Sequence, residues 1–101
     1  MYDESGLLFE WDAYKAGTNL DKHGVSFDEA ATVFRDELRV TEPDELRSET
    51  EDRAYTLGRS GQDRILVVAW TPRGRYGELV RIISARRADP REVRRYAEEP
   101  R

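Results

Sequence analysis

The hydrophobic period of this chain changes from helical to strand-like near Asp36, and that change limits the folds open to it. Before Asp36, apolar residues recur at helical spacing. After it they alternate or gather in short runs, until a last helical pattern begins at Asp89. Helices grouped ahead of strands, instead of alternating with them, point to an α+β domain.

The punctuation supports this order. Leu7 to Trp11 is a short apolar run and reads as a first strand. Asp12 is a good N-cap, because its carboxylate accepts from free amides of a first turn. The helix that follows runs from Ala13 to Lys22 or His23, and Gly24 ends it. Ala13, Ala16, Gly17 and Leu20 fall on one side and form its expected buried stripe. Ser26 and Glu29 have capping-box spacing. Phe27, Ala30, Ala31 and Phe34 then give the buried stripe of a second helix ending near Arg35.

Strands are expected at Leu38–Thr41, Arg53–Gly58, Arg64–Thr71 and Glu78–Arg86. Glu42 to Asp52 is a polar, acidic loop. Ser60 to Asp63 and Pro72 to Gly77 are turns. Asp89-Pro90 is an N-cap with proline at the first helical position. Glu92 completes a box there, and Val93, Tyr96 and Ala97 form a closing amphipathic helix. The predicted order is β-α-α-β-β-β-β-α. Consecutive hairpins imply an antiparallel meander, with the helices on one face.

One domain is expected over residues 1–101, since 101 residues is too short for two ordinary cores. There is no cysteine, hence no disulfide framework and no thiolate metal site. One histidine and no carboxylate spacing of the right kind leave no metal motif, so no cofactor is expected. No glycine-rich phosphate loop follows a strand. A Ser/His/Asp triad through His23 is formally open, but no nucleophile elbow supports it. No apolar run approaches the roughly 20 residues of a membrane span. The start at Met1-Tyr2-Asp3-Glu4 lacks a secretory pattern, so the cytoplasm is expected.

Net charge is −4, which alone argues against nucleic acid. The distribution argues otherwise. Residues 1–51 carry 14 Asp and Glu against 5 Lys and Arg, whereas residues 52–101 carry 7 against 12. A fold can gather the second half into a basic surface, because exposed charges act within about 8–10 Å.

Two groups of residues could carry chemistry. Lys15, Asn19, Lys22 and His23 fall within a stripe of roughly 100° on the first helix. They offer two cations, an amide and an imidazole to one ligand. A solvated helix face explains the same pattern. On the last strand, Leu79, Arg81, Ile83, Ala85 and Arg87 share one face, and Val80, Ile82, Ser84 and Arg86 the other. Both faces are largely apolar, so the strand is central. Its arginines must then be paired or point into a cleft. Arg59 and Tyr55 lie on a neighbouring strand. Arg59 can reach the Arg81 face, and Tyr55 can offer a base a stacking surface or simply be core. Trp70 and Tyr76 are equally ambiguous.

Several of these segments together resemble the BrnT family of toxins from type II toxin–antitoxin systems. They are Phe9-Glu10-Trp11-Asp12, Lys15, Asn19, Lys22-His23-Gly24-Val25-Ser26-Phe27, Ala30-Ala31-Thr32-Val33-Phe34, Gly58-Arg59, Leu66-Val67-Val68 and Arg81-Ile82-Ile83-Ser84-Ala85-Arg86-Arg87-Ala88. The resemblance runs from residue 9 to about 96. It implies a RelE-like fold and metal-independent endoribonuclease activity that inhibits translation. It also implies neutralisation by a BrnA-like antitoxin with a ribbon-helix-helix domain, in a 2:2 heterotetramer that reaches operator DNA only through the antitoxin. Three departures stand out: Ala13-Tyr14 where the family often has proline after the aspartate, Trp70 in place of a smaller or more polar residue, and a long Thr71–Glu78 turn.

On this reading the RNA 2′-hydroxyl attacks its own phosphate. His23 is the natural acid or base, because its unperturbed pKa lies near 6.5. Arg59, Arg81 and Arg86 are candidates for stabilising the phosphorane, with Lys15 assisting. Lys22, Asn19, Arg87 and Tyr55 would hold RNA. A version with a poorly defined acid and base, in which the cations do most of the work, stands beside it. So does a different class: a non-catalytic module acting as corepressor with a ribbon-helix-helix partner. A small-molecule binding domain is a third reading.

Overall fold

The computed structural model describes residues 6–44 and 52–99. Met1 to Glu4 and most of the Glu42–Asp52 loop therefore lie outside the described residues. The elements are β1 (Leu8–Glu10), α1 (Ala13–His23), α2 (Phe27–Thr32) with a 3-10 turn at Val33–Arg35, β2 (Val40–Pro43), β3 (Ala54–Arg59), β4 (Ile65–Arg73), β5 (Leu79–Arg87) and α3 (Pro90–Glu98).

The local signals act as expected. Asp12 accepts from Lys15 N–H at 2.9 Å, and Gly24 closes α1 in the left-handed region at φ 68°. Asp89 and Glu92 form both halves of the capping box on α3. The box on α2 is only half made. Ser26 accepts from Glu29 N–H, but the Glu29 side chain turns away to other partners.

The five strands lie in the order β1-β5-β4-β3-β2. β2 to β5 form the expected antiparallel meander. β1 pairs with β5 in parallel, so the sheet is mixed and not wholly antiparallel. No hairpin joins these two strands, and the long connection leaves their relative direction free.

The helices also divide between the faces, where sequence pattern placed them together. Phe9, Val25, Phe27, Ala30, Ala31, Val33 and Phe34 pack with Leu66, Val68, Val80, Ile82 and Ala85 into the main core. Its aromatic rings meet as Phe9–Phe34 at 5.4 Å and Phe34–Trp70 at 5.5 Å. Trp70 is thus core, with its indole N–H donating to Thr56 Oγ1 at 2.8 Å. The other sheet face carries Leu57 and Val67, and Tyr96 of α3 covers them. Val67 alternates with the main-core Leu66 and Val68 along β4, and Leu57 pairs beside Val67, so apolar surface on both faces demanded a cover on both.

The largest local departure is a β-bulge. Ala69 pairs with Ser84, but Trp70 pairs with Ile82, so Ile83 is an extra residue on β5. Alternation shifts by one at this point. Val80, Ile82, Ala85 and Arg87 therefore face α1 and α2. Arg81, Ser84 and Arg86 face the α3 side, although simple alternation puts Arg81 and Arg86 on opposite faces.

α1 is turned relative to its expected stripe. Asn19 is its buried residue, at 5% exposure, with Ala16 packed beside it. Leu20 is 49% exposed, and Ala13 and Gly17 face solvent. Among the described residues no helix is long and apolar enough to cross a membrane.

A cationic corner where the first helix meets the last strand

Asn19 is the residue that fixes this end of the molecule. Its Nδ2 donates to Ala85 O at 2.7 Å and to Val25 O at 3.0 Å, while Ala85 N–H donates to its Oδ1 at 3.1 Å. The short β1 pairs only with Leu79 to Arg81, so the same edge of β5 is bare at Ala85. The Asn19 amide stands in for a peptide group there. It is buried and committed, so it does not share an exposed stripe with Lys15, Lys22 and His23 and cannot present its amide to RNA.

This clip sets the position of His23. α1 starts beside Arg81, at the end of β1, and reaches Ala85 at Asn19, so it advances in the direction of β5. His23 lies one turn past Asn19 on the same helix face, about 6 Å farther. Arg87 lies two residues past Ala85 on the same sheet face, about 6.6 Å farther. Both project where the sheet ends. Arg64 completes the corner. It precedes β4, next to the Leu66–Arg87 register pair, and its Nη2 donates to Gly24 O at 3.0 Å.

Arg64 is held from below by Glu29. Its Nε donates to Glu29 Oε2 at 2.9 Å, a second nitrogen pairs with Oε1, and Ser60 Oγ donates to Oε2 at 2.7 Å. The Glu29 side chain is only 2% exposed. The Arg64 hydrogen bonds hold its carboxyl below the usual range despite the opposing effect of burial, and the nearby charge of Arg87 helps. One buried carboxylate thus orients one guanidinium. By contrast, the Lys22, His23 and Arg87 side chains are exposed, with no hydrogen-bond or ion-pair partner among the described residues. Lys15 is likewise exposed, one turn into α1. Lys22, Arg64 and Arg87 therefore lie at the same end of the sheet as His23.

The other predicted site residues lie across the sheet, and each already has an acidic partner. Arg86 grips Glu92 with both terminal nitrogens, at 2.8 and 2.9 Å. That bond raises the Arg86 pKa and lowers that of Glu92. Arg59 pairs with Asp63 at 2.7 Å, and Arg81 with Glu10 at 2.9 Å. Tyr55 donates its hydroxyl to Glu42 at 2.9 Å. Tyr55, Ser84, Arg86 and Glu92 line a shallow cleft of about 410 Å³ floored by Val67 and Ala69. The sheet therefore separates Lys15, Lys22, His23 and Arg87 from Tyr55, Arg59, Arg81 and Arg86. Sequence reading missed Arg64 and Glu29. Neither had a spacing signal, because Glu29 appeared committed to its own helix cap.

A small α+β domain with a cation cluster beside a single histidine suits a protein that handles RNA phosphates, and comparison with known proteins makes the class definite. Residues 11–92 match the family model for the ribonuclease toxin BrnT of type II toxin–antitoxin systems. The chain belongs to the BrnT family. Its fold matches the 1.1 Å crystal structure of the Brucella abortus ribonuclease toxin BrnT with a TM-score of 0.63 and 25% identity, covering 82% of this chain and 97% of that one. No match is found among curated proteins.

Proposed function

We propose that this toxin is a metal-independent endoribonuclease whose site is the corner formed by Lys22, His23, Arg64 and Arg87. One observation carries the reading: the exposed Lys22, His23 and Arg87, with no hydrogen-bond or ion-pair partner among the described residues, lie at the same end of the sheet as a guanidinium oriented by Glu29 and Gly24. Cations of this kind repel a divalent metal and attract a phosphodiester.

The chemistry follows from the groups present. A base takes the proton of the RNA 2′-hydroxyl, and that oxygen attacks the adjacent phosphorus. Arg87 and Arg64 balance the charge that grows on the phosphorane, each able to give two parallel hydrogen bonds. The 5′ oxygen leaves with a proton from an acid. The products are a 2′,3′-cyclic phosphate and a free 5′-hydroxyl. His23 serves as the proton carrier, since one imidazole can give or take a proton near neutral pH. Lys22 and Lys15 hold flanking phosphates. Arg59, Arg81 and Arg86 keep their carboxylates and support the fold.

The test is cleavage of a single-stranded RNA by His23→Ala and Arg87→Ala, with product ends analysed and chelator present. Loss of activity in both, with cyclic phosphate ends in the wild type, is expected. Full activity in both would sink the assignment.

The same reading includes a RelE-like arrangement, a cytoplasmic setting and a BrnA-like antitoxin. The antitoxin would bring a ribbon-helix-helix domain, a 2:2 assembly and the only route to operator DNA. A non-catalytic corepressor role is the second reading. The acid-paired arginines around the α3 cleft favour it, because they suit contact with a protein. Induced expression separates the two: a nuclease arrests growth and degrades RNA.

A further inference from the structure

The hairpin between β4 and β5 ends far from the corner, and nothing described above gives it a task. Its tip carries Arg75 and Tyr76, with Tyr76 85% exposed. A tyrosine so exposed adds almost nothing to the core, and no partner is found for the Arg75 side chain among the described residues. The turn itself is shaped. Gly74 and Gly77 both have positive φ, at 88° and 72°. The Glu78 carboxylate folds back over Gly74, where any Cβ would collide with it, and accepts from Tyr76 N–H at 3.4 Å. Gly77 N–H bonds Gly74 O at 3.4 Å. The one acid of the turn is thus drawn into its backbone, leaving a guanidinium and a ring outside.

We propose that Arg75 and Tyr76 form a second contact for single-stranded RNA, remote from the cleavage corner. The inference rests on the proposed RNA-cleaving function. An exposed ring beside a cation is what a flexible strand needs: the ring stacks on any base, and the guanidinium meets a phosphate. β5 spans eight residue steps from Leu79 to Arg87, so tip and corner are about 27 Å apart along the sheet. Lys15 stands between them, on a helix that starts beside Arg81 and runs towards Arg87. A strand several nucleotides long can touch all three points, and a dinucleotide can touch only the corner.

Binding of 2′-O-methyl oligonucleotides, which lack the attacking hydroxyl, tests this by fluorescence anisotropy. Tyr76→Ala is expected to weaken a 12-nucleotide strand about tenfold, and Tyr76→Phe to keep wild-type affinity. Arg75→Ala is expected to reduce the salt dependence by about 0.7 in log–log slope. Cleavage of a dinucleotide should be unchanged in all three variants. Unchanged long-strand affinity in Tyr76→Ala and Arg75→Ala overturns the contact while leaving the corner intact. It also assigns the turn to a protein if antitoxin binding weakens instead. A wild type that neither binds nor cleaves RNA overturns this inference and the proposed function together.

Discussion

Replacing Asn19 by alanine is the sharpest test of how α1 is held. Three hydrogen bonds disappear at a site only 5% exposed. Ala85 loses a partner for both its N–H and its C=O, and Val25 O loses its donor. A typical bond contributes about 1 kcal/mol net, and a stranded buried group costs about 1–3 kcal/mol. Water entering the vacated space offsets part of this, so about 2–4 kcal/mol is expected. For a domain of this size that lowers Tm by roughly 10–20 °C. Urea denaturation followed by far-UV circular dichroism measures it. Leu20→Ala is the control. Helical periodicity makes Leu20 the core residue of α1, but the structure leaves it half exposed, so its loss should cost under about 1 kcal/mol. A larger cost at Leu20 than at Asn19 would refute the orientation of the helix, and with it the placement of His23.

Other expectations concern charge. Arg87→Ala should slow RNA cleavage about 10²–10³-fold, whereas Arg86→Ala should cleave at the wild-type rate and lose at most about 1 kcal/mol of stability, its ion pair being nearly half exposed; equal activity in the two variants contradicts the division by the sheet. Glu29→Gln should cost about 3 kcal/mol at pH 7, because Arg64 keeps its charge against a neutral partner. The Glu29 carboxyl is lowered in the fold from 4.5, so its contribution is present above that value and fades as pH falls through the lower folded value. Wild type and Glu29→Gln should therefore converge in stability in acid, and parallel melting curves down to pH 3 would count against the buried pair. Tyr96→Phe removes the 2.5 Å bond to Asp36 that ties α3 to the sheet and should cost about 1–3 kcal/mol in chemical denaturation; no loss would mean that ring packing alone docks α3.

The features that sequence could show were the local ones. Asp12, Gly24, Ser26, Asp89 and Pro90 act on backbone groups within a few residues of themselves, and the helix bounds followed them closely. The nonlocal features were hidden. The buried face of α1 is marked by an asparagine, which hydrophobic spacing counts as outward. Glu29 looks like a capping residue until Arg64 and Ser60 arrive from the far end of a hairpin. The direction of β1 depends on a partner some seventy residues away, and the face taken by α3 depends on what Leu57 and Val67 leave uncovered. Family resemblance put His23, Lys22 and Arg87 among the candidates. It could not tell that Arg59, Arg81 and Arg86 lie on the opposite side with their carboxylates in place.

The bulge that takes up Ile83, and not composition, controls which arginine reaches the corner. Arg86 and Arg87 are adjacent and chemically identical. Flattening the bulge with every residue kept would restore plain alternation along β5 and exchange their places, turning Arg86 to the histidine and Arg87 to Glu92, whereas deleting Ile83 would remove the bulge and leave both arginines where they are. Loss of the bulge at constant length is therefore a rewiring of charge between two surfaces, and loss of the bulge together with its extra residue is not. Homologues that differ in length between the positions of Arg81 and Arg87 should be compared by sheet face before any arginine is equated with another.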